Sequence, residues 1–229
     1  MKLGLLSYWH RFCYALWSPF YDWLVRGFAD WRGRSLNLAD IQPGERVLIV
    51  GAGTGLDLQF IEPGPRITAI DVTGTMLWEL RRRAQLRSLD VDARVMDGQA
   101  MDFADGSFDV VILHLILAVI PDPARCARES ARVLRLGGRV IIMNKFVADD
   151  RRPPWALLLA DPLLRLLGTN INRKLGQILE GPCLRTMHQE PVGLGGSSGL
   201  FCCGKTELAP LSRARRASVP VFLQKARSR

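Results

Sequence analysis

Three stretches of the chain carry residue types that together suit one ligand. Gly51, Gly53 and Gly55, interleaved with Ala52 and Thr54, make a Gly-x-Gly-x-Gly turn. Small residues there let the backbone approach a bound molecule, and amides at the start of a following helix face its negative end. Asp71 stands 20 residues after Gly51, with Val72 beside it, where a carboxylate can accept both hydroxyls of a ribose. Asp97, followed by Gly98 and Gln99, adds an acceptor for the exocyclic amine of an adenine. The three stretches describe one nucleoside pocket. A dinucleotide turn would require glycine at position 56, which is Leu56. The turn therefore disfavours a pyrophosphate, and with it a nicotinamide-dependent oxidoreductase.

Such residues work only at the carboxyl ends of strands, so the surrounding pattern must place strands before them. Residues 46–50 (RVLIV) read as a buried strand entering the glycine turn, and 66–71 (RITAID) as a second strand that ends at Asp71. A helix is expected from 73 to about 88, with Thr73 as its N-cap and Arg81, Arg82, Arg83 and Arg87 on its wet side. A third strand covers 93–96. Residues 108–115 (FDVVILHL) have an unbroken apolar middle, the mark of a strand buried on both faces, as in a parallel sheet. A helix over 123–134, stopped by Gly137 and Gly138, and a fifth strand over 139–146 complete the alternation. This rhythm is that of an α/β fold with a doubly wound, mostly parallel sheet.

Composition agrees with a single compact domain: of 229 residues, 48% are hydrophobic and 23% charged, which excludes disordered and fibrous classes. Five cysteines, odd in number and without Cys-x-x-Cys spacing, suggest neither a disulfide framework nor a zinc site. His10, His114 and His188 are scattered, so no metal is expected. The first residues do not read as a signal peptide, and no run of about 18 uncharged apolar residues offers a membrane span. A cytoplasmic protein, able to rest on the inner membrane face, is expected. The net charge of +9 is uneven: residues 1–190 carry 24 basic and 21 acidic side chains, and residues 191–229 seven and one. The folded body is near neutral and the basic end reads as a solvated tail, so no specific nucleic acid is expected. Oligomeric state is not readable.

The first 31 residues hold ten of the 18 aromatic side chains. On a helix, Leu5, Leu6, Trp9, Phe12, Cys13, Leu16 and Trp17 recur at three- and four-residue spacing, and Pro19 ends it. Two readings stay open for this N-terminal amphipathic helix: it packs on the domain, or it lies in a bilayer interface with Lys2 and Arg11 towards anionic lipid. Three regions follow: an aromatic helical segment at 1–40, the main domain at 41–192 and an irregular basic tail at 193–229.

Over residues 44–146 the sequence resembles the class I S-adenosylmethionine-dependent methyltransferases. The match rests on VLIVGAGTGLDL, ITAID, VMDGQAMDF, DGSFDVVILHLILAVIPDP and ARVLRLGGRVIIMNKF. By that resemblance the 51–55 turn would hold the methionine end of the cofactor, Asp71 and Val72 the ribose, and Asp97, Gly98 and Gln99 the adenine. His114 would sit near the sulfonium. The family usually has an acidic residue two positions before the first glycine, and here that position is Ile49; Asp57 is the candidate to meet the cofactor's amino group instead.

Within the superfamily, the segment Ser18-Pro19-Phe20-Tyr21-Asp22 and the stretch Met143-Asn144-Lys145-Phe146 are most similar to bacterial phosphatidylethanolamine N-methyltransferases. Quinone-ring methyltransferases carry a similar Tyr-Asp pair, so a quinone or other small apolar acceptor is the alternative. Transfer to an amine requires a neutral nitrogen, and His114 or Tyr21 could take or relay its proton. Trp9, Trp17, Tyr21, Asn144, Lys145 and Arg173 are the candidate acceptor contacts, because apolar surface beside cationic and amide groups suits a lipid with a phosphate head. The family sheet ends with a sixth strand, here near 183–190, and an antiparallel seventh. For the seventh no clean candidate is expected: 199–203 is short, and 219–223 contains Pro220.

Overall fold

The computed structural model describes residues 26–144, 175–179, 184–192 and 198–205. Seven strands form one sheet: β1 Arg46–Val50, β2 Arg66–Asp71, β3 Val91–Val95, β4 Phe108–His114, β5 Leu134–Asn144, β6 Leu184–Val192 and β7 Ser198–Lys205. Their order is β3-β2-β1-β4-β5-β7-β6. The first five are parallel, and β7 runs antiparallel between β5 and β6. The doubly wound α/β expectation holds.

Side chains alternate through this sheet into two apolar layers. Val47 and Ile49 of β1 join Leu36 and Ala39 of helix α1 (Ala29–Ala39), and Leu77 and Leu80 of helix α2 (Gly74–Leu86), on one face. Leu48 and Val50 join Cys126 and Ala127 of helix α4 (Pro123–Val133) on the other, with Ile178 of helix α5 (Leu175–Leu179). Helix α3 (Ile116–Val119) is a single turn between β4 and α4. Every residue of β4 is buried, which is why its apolar run is unbroken.

Two expectations are revised. Gly137 and Gly138 do not stop a helix; α4 ends at Val133, β5 begins at once with Leu134 paired to Phe108, and the register shifts before Val110 pairs with Arg139. Glycine suits that irregular stretch because a Cβ at position 138 would lie 2.8 Å from the Asp109 carbonyl oxygen. The seventh strand does exist. Ser198–Lys205 lies within the region expected to be an irregular tail, and its residues alternate between the faces: Phe201 and Cys203 enter one apolar layer and Cys202 the other. Thr73 does occupy the N-cap of α2, but without the side-chain bond a capping threonine would make.

α1 was not anticipated. It runs down the sheet, and Arg139 fixes its lower end by donating to the carbonyls of Ala39 and Asp40 (2.8 Å to the latter) and pairing with Glu45 at 2.7 Å. The amphipathic helix expected before Pro19 lies outside the described residues. Among those described, no helix is long and apolar enough to cross a membrane.

Candidate functional site

The glycine turn leaves β1 at the carboxyl edge of the sheet. Gly51, Gly53 and Gly55 have φ angles of 67°, 54° and 83°, a left-handed backbone that glycine adopts without strain. Space excludes side chains too: a Cβ on Gly51 would lie 2.5 Å from Ile116 Cδ1, and one on Gly55 2.9 Å from Leu80 Cγ. The amides of Gly51 and Ala52 both donate to the carbonyl of Ile70, folding the turn towards β2. Thr54 is buried within it. Instead of the expected helix, the chain continues as the 3-10 turn Leu56–Phe60.

Asp71 ends β2 and faces this turn. Its Oδ2 accepts the amide of Gly53 at 3.0 Å and its Oδ1 the amide of Thr73 at 2.8 Å. Burial pushes this carboxyl up, against the lowering effect of amides that include that of Val72. Asp97 follows β3: its Oδ1 accepts the backbone amide of Gln99 at 2.8 Å and its carboxylate also takes the Gln99 side-chain amide. Gln99 Oε1 accepts the amide of Asp122 at 2.9 Å, which ties this loop to the start of α4. Gly98 is tight as well, since a Cβ there would meet Val50 Cγ1 at 2.6 Å. The sheet order brings the three stretches to neighbouring strand ends.

Asp57 and His114 are brought together more closely than the sequence implied, and with different partners. His114, the last residue of β4, has Nδ1 2.8 Å from Asp57 Oδ1 and Nε2 2.9 Å from Ser35 Oγ. Arg32 reaches the same Asp57 oxygen at 2.5 Å. All four side chains are buried. Burial opposes the charge on Asp57, but the Arg32 and His114 charges and hydrogen bonds outweigh it and hold the carboxyl well below the usual carboxylate range. Both ring nitrogens of His114 are thus engaged in hydrogen bonds within the protein. Asp57, the residue expected to meet a cofactor amine, is held through its Oδ1 by Arg32 and His114.

The next residue, Leu115, has φ of 61°, uncommon for a branched side chain, and donates its amide to the Met143 carbonyl at 2.7 Å. Leu115 and Trp31 pack against Met143 and Leu200, which gives the carboxyl ends of β4 and β5 an apolar floor. Asn144, at the end of β5, is buried beside it in sequence. Trp9, Trp17, Tyr21, Lys145 and Arg173 lie outside the described residues. Arg32, Ser35 and Trp31 were missed. A signal existed for the first two, since Arg32, Ser35, Leu36 and Ala39 are spaced as one helix face. None existed for the backbone of Leu115.

The residues present fit S-adenosylmethionine. Two carboxylates stand at adjacent strand ends where they could accept from a ribose and an adenine amine, and the turn beside them has no room for a side chain at 51 or 55. The profile of the family described as "Methyltransferase domain" matches residues 48–142. The chain is 36% identical over 158 residues to phosphatidylethanolamine N-methyltransferase of Cereibacter sphaeroides, a match covering 67% of this chain and 76% of that protein. It is 34% identical over 135 residues to demethylmenaquinone methyltransferase of Thermus thermophilus, covering 56% and 61%. In structure it is similar to geranyl diphosphate C-methyltransferase of Streptomyces coelicolor A3(2), solved with S-adenosyl-L-homocysteine, at a TM-score of 0.61 and 16% identity over 76% of this chain and 80% of that one. Turn, carboxylates, strand order and relatives converge: the chain belongs to the class I S-adenosylmethionine-dependent methyltransferases.

Proposed function

We propose that the enzyme N-methylates the amine headgroup of a phospholipid such as phosphatidylethanolamine, working as a peripheral protein on the inner membrane face. The observation that carries this reading is the 36% identity to the Cereibacter sphaeroides enzyme over 76% of its length. The apolar floor of Trp31, Leu115, Met143 and Leu200 supports an acceptor with apolar chains. Trp9 and Trp17 would meet those chains, and Lys145, Arg173 and Asn144 the phosphate region. The cofactor supplies a methyl group activated on a cationic sulfur, so the protein's task is to hold the two partners in line and exclude water. An amine acceptor must lose a proton. With both His114 nitrogens engaged, that proton falls to Tyr21 or to water.

A quinone acceptor is the second reading, favoured by relatives such as the Thermus thermophilus enzyme, of which the chain spans 61%. The two separate in one experiment. The gene is expressed in a host that makes phosphatidylethanolamine but no methylated form, and total lipids are analysed by mass spectrometry. Mono-, di- or trimethylated headgroups are the expected product. An unchanged phospholipid profile with altered quinones would replace the first reading by the second.

A further inference from the structure

Among the described residues, five large apolar side chains are more than half exposed, and three of them belong to α2 and the end of β3: Trp78 at 65%, Leu86 at 76% and Val95 at 57%. Single exposed hydrophobics need no explanation, but Trp78 and Leu86 share one helix and Val95 lies beside its first residue. Gly74, Trp78 and Arg81 follow one helix face. The Cβ position of Gly74 lies 3.7 Å from Val95 Cγ2, and Arg81 donates to the carbonyl of Ala93, so this face overhangs the edge strand β3. Val95 ends β3 two residues before Asp97, which sets the patch at the rim of the nucleoside pocket.

The charge along α2 is one-sided, while that around Val95 is mixed. Between Gly74 and Arg87 stand Arg81, Arg82, Arg83 and Arg87 against a single acidic residue, Glu79, which pairs with Arg82 at 3.4 Å and Arg83 at 3.6 Å. Asp90 and Asp92 follow, and Asp92 is paired with Arg94 at 2.5 Å. Arg81, Arg82 and Arg87 are exposed. A helix with guanidinium groups, an exposed indole and an exposed leucine matches an anionic bilayer surface: phosphates for the arginines, the headgroup level for Trp78, and the acyl boundary for Leu86. Trp78 and Leu86 are eight residues apart, roughly 12 Å along the axis, so both enter only if α2 lies flat. A nucleic acid would use the arginines and leave Leu86 without a role.

We propose that α2, with Val95, is a docking face for an anionic lipid bilayer and sets the rim of the cofactor pocket at the membrane. As an account of how a lipid acceptor reaches the site it rests on the function proposed above; the docking itself is measurable without it. The test uses the full chain and sedimentation with vesicles of phosphatidylcholine alone or mixed with phosphatidylglycerol. Two double variants, Trp78→Ser with Leu86→Ser and Arg82→Gln with Arg87→Gln, are compared with the unaltered protein. S-adenosylmethionine binding serves as the check on folding.

The protein is expected to partition onto the phosphatidylglycerol vesicles, and each double variant to lower that partition about tenfold with cofactor affinity unchanged. Methylation of a dispersed short-chain phosphatidylethanolamine should be unaffected by either pair. Partition that is absent, indifferent to phosphatidylglycerol or equal in protein and variants overturns the docking face. So does loss of RNA retention in the arginine variant with vesicle binding intact. Failure of the acceptor reading looks different: vesicle binding persists, and no methylated lipid forms in either assay.

Discussion

Asp57 and Asp109 each hold two basic side chains, Arg32 and His114 for the first and Arg46 and Arg135 for the second, at opposite edges of the same sheet. Asp109, near the start of β4, accepts the backbone amide of Arg46 at 2.8 Å and its guanidinium at 3.0 Å and 3.2 Å, with Arg135 on the other side. Its side chain is 13% exposed, while Arg46 and Arg135 stand nearly half in water. Asp57, under the glycine turn, is 4% exposed beside Arg32 at 6% and His114 at 1%. Both carboxyls are held well below the ordinary range, but for different reasons. Direct hydrogen bonds from Arg46 come first for Asp109, against a smaller cost of burial. For Asp57 burial is the largest influence and opposes ionisation, and the neighbouring charges overcome it.

The contrast separates two uses of one chemistry. The Asp109 cluster fastens the amino ends of β1, β4 and β5 where water shares the load, and resembles a reinforced surface pair. The Asp57 cluster spends charge where apolar side chains of similar volume would stabilise as well or better. What it adds is position: Arg32 and Ser35 of α1 reach the turn and the end of β4, so α1 seats against the cofactor loop in one way only.

The largest effect should therefore come from Arg32→Met, which leaves a buried carboxylate without its guanidinium partner. A loss of roughly 3–5 kcal/mol in urea unfolding is expected. Arg135→Met, the matching change at the exposed cluster, should cost about 1 kcal/mol or less. Equal losses would break the comparison, because they would mean that burial does not decide the outcome.

Asp109→Asn comes next, at about 2 kcal/mol near neutral pH, since several charge-assisted bonds weaken together. The sign of its pH dependence follows from the depressed folded value. The stabilisation is fully present above the unfolded value near ~4 and is lost as pH falls towards the folded one. Unfolding free energy measured from pH 6 down to pH 2 should thus fall for the unaltered protein and fall less for Asp109→Asn. A parallel decline would show that Asp109 carries no such linkage.

The sequence made one of these clusters partly visible and hid its purpose. β1 and β2 were legible because short apolar runs end in glycine or aspartate, and β4 because its apolar middle is unbroken; the 51–55, 71 and 97–99 stretches followed from residue types at the strand ends. α1 was not, since its buried face includes Arg32 and Ser35, and a pattern search scores those as polar breaks rather than as partners for residues 57 and 114. β7 was passed over because the run 199–203 is short, and its place between β5 and β6 supplies the pairing that a short run does not announce. His114 was placed correctly at the strand end but its partners were not foreseen, because groups 57 and 79 residues away leave no local mark.

Ser35→Ala should have the smallest effect and sharpens the comparison most. It removes the hydroxyl from His114 Nε2 and leaves the Arg32, Asp57 and His114 contacts in place, so one buried polar group loses its partner. A cost of about 1 kcal/mol in unfolding is expected. If α1 is seated by the whole cluster, the variant should also bind S-adenosylmethionine more weakly, because His114, which holds Asp57, loses its tie to the helix. Calorimetric titration reads this directly. A stability loss with unchanged cofactor affinity would reduce the cluster to a buried fastener, different from the Asp109 cluster in degree but not in kind.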